Sequence, residues 1–254
     1  MLLSLLLVST ASVALPADPK EVRKQFVELA DKQDRPALVE LWKKNPTLVL
    51  PTIDRDLEGS LAEIEKGAKP DSDKVKALHK RALFGASCAY EASGHPMIFD
   101  YTSSFTGWTA AQQKTFREGQ KASGAAGQAL QKKDGKTALE KGTECYQKAI
   151  SLGDWWGAAM GLDAIGNAHG VLGDKEAALT ALSQARMINH DLGLWGDEYG
   201  NLTAIASLCV QSERHARGRT AAQMGRELAE KLGDAEGAKQ MAELEKICAE
   251  KLGK

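Results

Sequence analysis

Between Trp155 and Leu172, apolar and small residues return at three- and four-residue intervals (Ala158, Gly161, Leu162, Ile165, Gly166, Ala168). That is the period of an α-helix with one buried face. Gly173-Asp174 interrupts the pattern, and a second stretch with the same period runs from Lys175 to Asp191, ending near Gly193. The motif at Leu152, LGDWW, returns as LGLWG at Leu192 and as LGDAE at Leu232, a spacing of 40 residues. The register holds between these landmarks. Trp155 aligns with Trp195, and Leu162, Ala164 and Ile165 align with Leu202, Ala204 and Ile205. Upstream, Asp134, Ala138 and Leu139 align with Asp174, Ala178 and Leu179. Two helices per repeat at this period predict an all-α chain built as an α-solenoid. Gly161 and Gly166 lie inside predicted helices, where glycine is about 1 kcal/mol worse than alanine. Close approach of a neighbouring helix is the expected compensation.

Leu162, Ile165, Gly166, His169, Gly173, Ala178, Leu182 and Ala185 run large, large, small, aromatic-like, glycine, small, large, small. This order resembles the tetratricopeptide-repeat (TPR) pattern, in its long-period variety, over residues 109–254. The resemblance implies a right-handed α-solenoid of antiparallel helix hairpins. In it Gly166 and Ala178 form the close contact within a hairpin, and Ala185 receives the next repeat. The segment from Gly233 to Lys254 reads as a charged amphipathic capping helix. Residues 18–108 read as a helical region without the repeat, with amphipathic helices in Asp18–Gln33, Arg35–Lys44, Pro51–Gly67 and Asp71–Ala92. Ser93–Thr109, rich in aromatics and turn formers, reads as a loop, after which Thr109 and Gln112 form a capping box for the next helix.

Composition narrows the function. With 33 basic and 34 acidic residues interspersed, no basic face offers itself to nucleic acid. Residues 1–17, with an apolar run from Leu2 to Val8 followed by small residues, resemble a cleavable signal peptide, which places the protein in the periplasm or outside the cell. Nothing beyond the leader reads as a membrane span. Cys88, Cys145, Cys209 and Cys248 match no disulfide scaffold or zinc motif, and they read as buried free thiols. No HExxH, GxSxG, phosphate loop or dinucleotide fingerprint occurs, and no metal or cofactor is expected. His79, His95, His169, His190 and His215 never stand three or four residues apart. His169 reads as a packing residue, and Cys88 with His95 makes an unsupported nucleophile–base pair. Asp54 and Asp56, like Glu63 and Glu65, are two apart on a helix and point in different directions, so they read as solvated charges.

The TPR resemblance implies a concave groove lined by the first helix of each repeat. Carried onto this chain, its positions are Met160, Asp163, Asn167 and Val171, then Thr203, Ser207 and Gln211, then Gln240 and Glu243. The surface is polar and carries no basic residue, which argues against a clamp for a partner's terminal carboxylate. Trp155 and Trp195 share a repeat position and read as packing. Trp156 has no counterpart and reads as an exposed anchor for a partner. The expected function is an exported, non-catalytic scaffold that binds a protein or peptide in this groove. Two alternatives stand beside it. The chain loosely resembles helical-repeat regions that precede CHAT-type peptidase domains, which would make it a recognition arm. It also fits a helical small-ligand-binding protein or enzyme, with a pocket between the halves around His95, Tyr101 and Trp108.

Overall fold

A computed structural model describes residues 18–253 of the 254-residue chain; the expected leader, residues 1–17, lies outside the described residues. Among the described residues the chain forms twelve α-helices, one 3-10 turn (Pro46–Leu48) and no strand. The first five are α1 (Pro19–Asp31), α2 (Arg35–Lys44), α3 (Val49–Glu65), α4 (Asp73–Ser93) and α5 (Met97–Thr106). The remaining seven are α6 (Ala110–Gln131), α7 (Gly135–Leu152), α8 (Trp155–Leu172), α9 (Lys175–Asp191), α10 (Trp195–Gln211), α11 (His215–Leu232) and α12 (Ala235–Leu252). The described residues contain no helix long and apolar enough to cross a membrane.

From α6 onward the turns recur at half the interval read from the sequence. Lys133, Gly153, Gly173, Gly193, Glu213 and Gly233, twenty residues apart, all have positive φ, between 57° and 84°. After each, the next residue donates its N–H to the carbonyl five positions back, as Asp154 does to Ala149 at 3.0 Å and Asp174 to His169 at 3.0 Å. This left-handed turn closes one helix by satisfying its last carbonyls. Asp134, Asp154, Asp174 and Asp234 then open the next helix, each accepting from the backbone N–H three residues on. Lys133 and Glu213 adopt the same turn without glycine, as Gln33 does before Asp34. The structural unit is therefore one helix and one turn.

Each helix from α6 to α11 packs on its successor, α6 also touches α8, and α10 touches α12. Asn201 on α10 donates to Asp163 on α8, and Thr203 on α10 lies 3.5 Å from Met241 Sδ on α12. On the other helices, Arg217 of α11 donates to Ser183 Oγ of α9 at 2.7 Å. The small residues sit where backbones approach. A Cβ on Gly161 would lie 2.6 Å from the Tyr146 nitrogen and 2.8 Å from its Cα, both on α7. Gly142 of α7 meets Ala164 and Ile165 of α8 in the same contact. Gly166 closes the α8–α9 contact, but against Leu182, whose Cγ would lie 2.6 Å from an added Cβ. Ala178, the expected partner one turn earlier on α9, is buried.

In the N-terminal region, Phe26, Leu38, Trp42, Leu50, Ile53 and Leu57 form the centre of the core. The segment expected as a loop, Ser93–Thr109, is mostly helix α5. Ile98, Tyr101, Thr102 and Phe105, at helical spacing, turn one face inward. Pro96, the flanking Gly94 and Gly107, and the β-branched residues masked that period. The Thr109–Gln112 capping box forms as expected. Leu152, Leu192 and Leu194, at the α7–α8 and α9–α10 turns, belong to the same core cluster as Phe26 and Trp42. Side-chain room at Gly153 is filled by Ser104, and at Gly193 by the Pro46 carbonyl. The repeat turns thus rest on the N-terminal helices, and cavities lie along this seam. All four cysteines are buried and unpaired.

Candidate functional site

Helices α3, α5, α6, α7 and α8 surround a cavity of about 410 Å³ at the seam. Helical spacing explains which side chains reach it. Asp54 and Glu58 are one turn apart on α3, and Tyr101 comes from the inner face of α5. Phe116, Gly119, Gln120, Ser123 and Gly124 form one stripe of α6, where the two glycines leave space. Cys145, Lys148, Ala149 and Leu152 form the matching stripe of α7. The N-terminal turns of α8 supply Asp154, Trp156, Gly157 and Met160. The walls are mainly apolar, with a few convergent polar groups, as in small-ligand sites.

The carboxylates dominate the electrostatics. Tyr101 donates its hydroxyl to Asp54 Oδ1 at 2.6 Å. Burial pushes Asp54 up to about 7; the Tyr101 hydrogen bond and Arg117 work against this, while Glu58 and Asp154 reinforce it. Asp154 is 5% exposed, and burial raises it to about 6 despite the hydrogen bond from the Gly157 N–H. The cations nearby are engaged elsewhere. Arg117 pairs with Glu58 and Glu65 at 2.7 Å each, and Lys148 pairs with Glu118 at 2.7 Å. Burial and the charge of Asp154 push the Cys145 thiol up to about 11, the opposite of what a thiolate nucleophile needs. Burial likewise lifts Tyr101 well above the usual phenol value. The arrangement can exchange a proton near neutrality and can hold a cation.

Asp54 and Asp56 do point in different directions, as their spacing requires, but neither is a solvated charge. Asp56 is 1% exposed and lies between Arg23 and Arg81, accepting from Arg81 Nε at 2.7 Å. Helix α3 is covered on two sides, by α1 and α4 at Asp56 and by α5 at Asp54, which a helical wheel cannot reveal.

The expected groove positions divide. Met160, Asn167, Val171, Gln211, Gln240 and Glu243 are exposed. Ser207, Gln240 and Glu243 border one open cleft between α10 and α12. Asp163 is instead a tie between helices: it accepts from Asn201, which accepts from Asn189 at 2.8 Å, and burial raises it to about 6. Thr203 is half-buried and bonds to the Tyr199 carbonyl of its own helix. Trp156 is half-buried at the cavity and packs against the N-terminal core, so it is not a free-standing anchor. Trp155 packs on the same core, and Trp195 lies under Lys231, whose Nζ is 3.6 Å from the ring centre.

The pocket expected around His95, Tyr101 and Trp108 is split by the fold. Tyr101 faces the large cavity. Trp108 is buried against Phe105 and Phe116 and donates to the Leu152 carbonyl at 3.0 Å. His95 borders a second cavity of about 300 Å³ with His190, Asp191, Trp195 and Lys231. Its ring lies 6.3 Å from that of His190 and its Nδ1 is 3.6 Å from Asp191. Cys88 lies buried in the N-terminal core, its thiol raised by burial. The described residues contain no group of three His, Cys, Asp or Glu side chains placed to hold a metal.

Comparison with protein-family models finds no match, and comparison with curated proteins finds none either.

Proposed function

We propose that this chain is an exported TPR-like protein, a right-handed solenoid of antiparallel helix hairpins, that binds a peptide segment of a partner without transforming it. The segment lies across α8, α10 and α12 and reaches the seam cavity at Trp156 and Met160. The observation that carries this reading is the continuity of these helices. The Asp163–Asn201 and Thr203–Met241 contacts join them side by side, while Met160, Asn167, Val171, Gln211, Gln240 and Glu243 stay exposed. Such a surface is preformed, so little ordering of the protein opposes binding. The leader-like residues 1–17 support export.

A second reading, a small-ligand-binding protein, is favoured by the cavity itself, whose walls and size suit a compact amphipathic molecule. In both readings no activated nucleophile is required.

The test replaces Asn167, Gln211 and Gln240 together with lysine. All three are exposed, so folding should be retained, whereas lysine at Asp163 or Thr203 would break contacts between helices. Capture of the partner from an envelope extract by the triple variant should fall at least tenfold relative to the native protein, through like-charge or steric conflict. Undiminished capture by a variant with native melting would refute the surface.

A further inference from the structure

Asp154 is buried and Asp54 half-buried, and neither carboxylate forms an ion pair. Among the described residues no lysine, arginine or histidine pairs with either; Arg117, which acts on Asp54, and Lys148, which lines the cavity, pair with Glu58, Glu65 and Glu118. An ionised carboxylate in such a place is strongly disfavoured unless it is paired. Here the space beside the two groups is not filled by protein: it is the cavity of about 410 Å³, bounded by Phe116, Leu152, Trp156 and Met160. A cavity with apolar walls, aromatic rings and excess carboxylate complements one kind of occupant.

We propose that the seam cavity is a binding site for an alkylammonium group, its charged head beside Asp54 and Asp154 and its chain along Phe116, Leu152 and Met160, with the Trp156 ring at its flank. Aromatic faces attract such cations, most strongly where water is excluded. An anion is disfavoured, since Lys148 is the one cationic side chain lining the cavity and Glu118 already holds it. A free amine and the lysine of a bound peptide both carry such an ammonium; the chemistry at the two aspartates is the same. The site does not depend on the peptide-binding reading, and a free amine alone would fill it.

Binding is coupled to protons. The groups facing Asp54 are Glu58 on its own helix, Tyr101 on α5, Arg117 on α6 and Asp154 at the head of α8; Cys145 and Lys148 line the same space from α7. With Asp54 raised to about 7 and Asp154 to about 6, an arriving ammonium must displace the proton each holds at lower pH. Affinity therefore rises with pH between about 5 and 8 and levels off above it.

The experiment is an NMR titration of the full chain with two matched pairs: n-pentylamine against 1-pentanol, and an N-acetylated hexapeptide containing one lysine against the same acetylated peptide with norleucine. At pH 8 the ammonium member of at least one pair should bind at least tenfold more tightly than its neutral counterpart, and the preference should shrink below threefold at pH 5. A preference confined to the peptide pair assigns the cation to a lysine side chain; one shown by pentylamine assigns a free amine. Asp54→Asn and Asp154→Asn should each abolish the preference; asparagine keeps an oxygen for Tyr101 and for the helix cap. Equal binding of both members at pH 8, no binding by any of the four, or a preference that survives both substitutions in a folded double variant overturns the proposal. The native-chain comparison needs no variant, so a folding defect cannot mask the answer. Loss of ammonium preference with retained partner capture would leave the peptide surface standing and remove only the cation site.

Discussion

Replacing Gly161 and Gly200 by alanine, one at a time, separates two roles of glycine inside these helices. Both are in helix interiors, Gly161 on α8 and Gly200 on α10. An added Cβ at Gly200 meets nothing within 4 Å. Alanine there should stabilise the protein by about 1 kcal/mol, from helix propensity and a less flexible unfolded chain. At Gly161 the same methyl would lie 2.6 Å and 2.8 Å from backbone atoms of Tyr146. Backbone cannot rotate away as a side-chain tip can, so α7 and α8 must separate by more than half an ångström. A gap of about 0.5–1 Å forfeits a quarter to a half of the dispersion energy of the contacts it opens. Overpacking costs about 1–3 kcal/mol, and the backbone contact places Gly161→Ala near the upper end. Net of propensity, that leaves about 2 kcal/mol of destabilisation. At about 2–4 °C per kcal/mol for a chain of this size, the Tm should rise about 2–4 °C for Gly200→Ala and fall about 4–8 °C for Gly161→Ala. Calorimetry of both variants under one buffer condition makes the comparison. A Gly161→Ala protein that melts at or above the native temperature would refute the claim that this glycine exists for the α7–α8 approach.

Asp54→Asn should stabilise the protein at pH 8 and have little effect near pH 4. The folded-state value of about 7 lies above the ordinary 3.8, so the native state holds a proton that the unfolded state has lost, and native stability falls as pH rises between those values. The full shift of about 3 units corresponds to at most about 4 kcal/mol; urea unfolding at both pH values gives the difference, and a pH-independent effect would contradict it. Asp174→Ala should remove the cap bond to the Ala177 N–H and lower stability by about 0.5–2 kcal/mol in the same assay, with no loss refuting a capping role. Cys88, Cys145, Cys209 and Cys248 are buried with raised thiol values, so Ellman's reagent at pH 8 should label them at the rate of unfolding, and one rapidly reacting thiol would contradict their burial.

The helices of the repeat half were legible because their period and turns are written locally. Trp155–Leu172 and Lys175–Asp191 were bounded by Gly153-Asp154, Gly173-Asp174 and Gly193, residues whose backbone and capping preferences act within a few positions. The twenty-residue unit was hidden because Lys133 and Glu213 make the turn that glycine makes elsewhere, and because tryptophan marks only alternate helices. Helix α5 was missed because its four inward residues are aromatic and β-branched, types that read as strand or loop over so short a span. The cavity was less legible still. Asp54, Tyr101 and Asp154 come from three helices spread over a hundred residues, and nothing in the order of residues brings α3 against the head of α8. Asp154 looked like any other cap of the repeat; only the N-terminal helices, by covering its turn, remove it from water.

Trp156 tests the candidate site most directly. The chain has five tryptophans, and incorporation of 5-fluorotryptophan gives each a ¹⁹F resonance that single Trp→Phe variants assign. Trp42 is buried in the N-terminal core, with its indole N–H donated to the Gly85 carbonyl, and serves as the internal control. Titration at pH 8 with the lysine hexapeptide and, separately, with n-pentylamine should move the Trp156 resonance in a saturable way with at least one of them and leave Trp42 in place. A saturable shift at Trp195 without one at Trp156 would move the site to the His95–His190 cavity, and no shift at any of the five with either the lysine hexapeptide or n-pentylamine would contradict the seam cavity as the place where this protein meets its ligand.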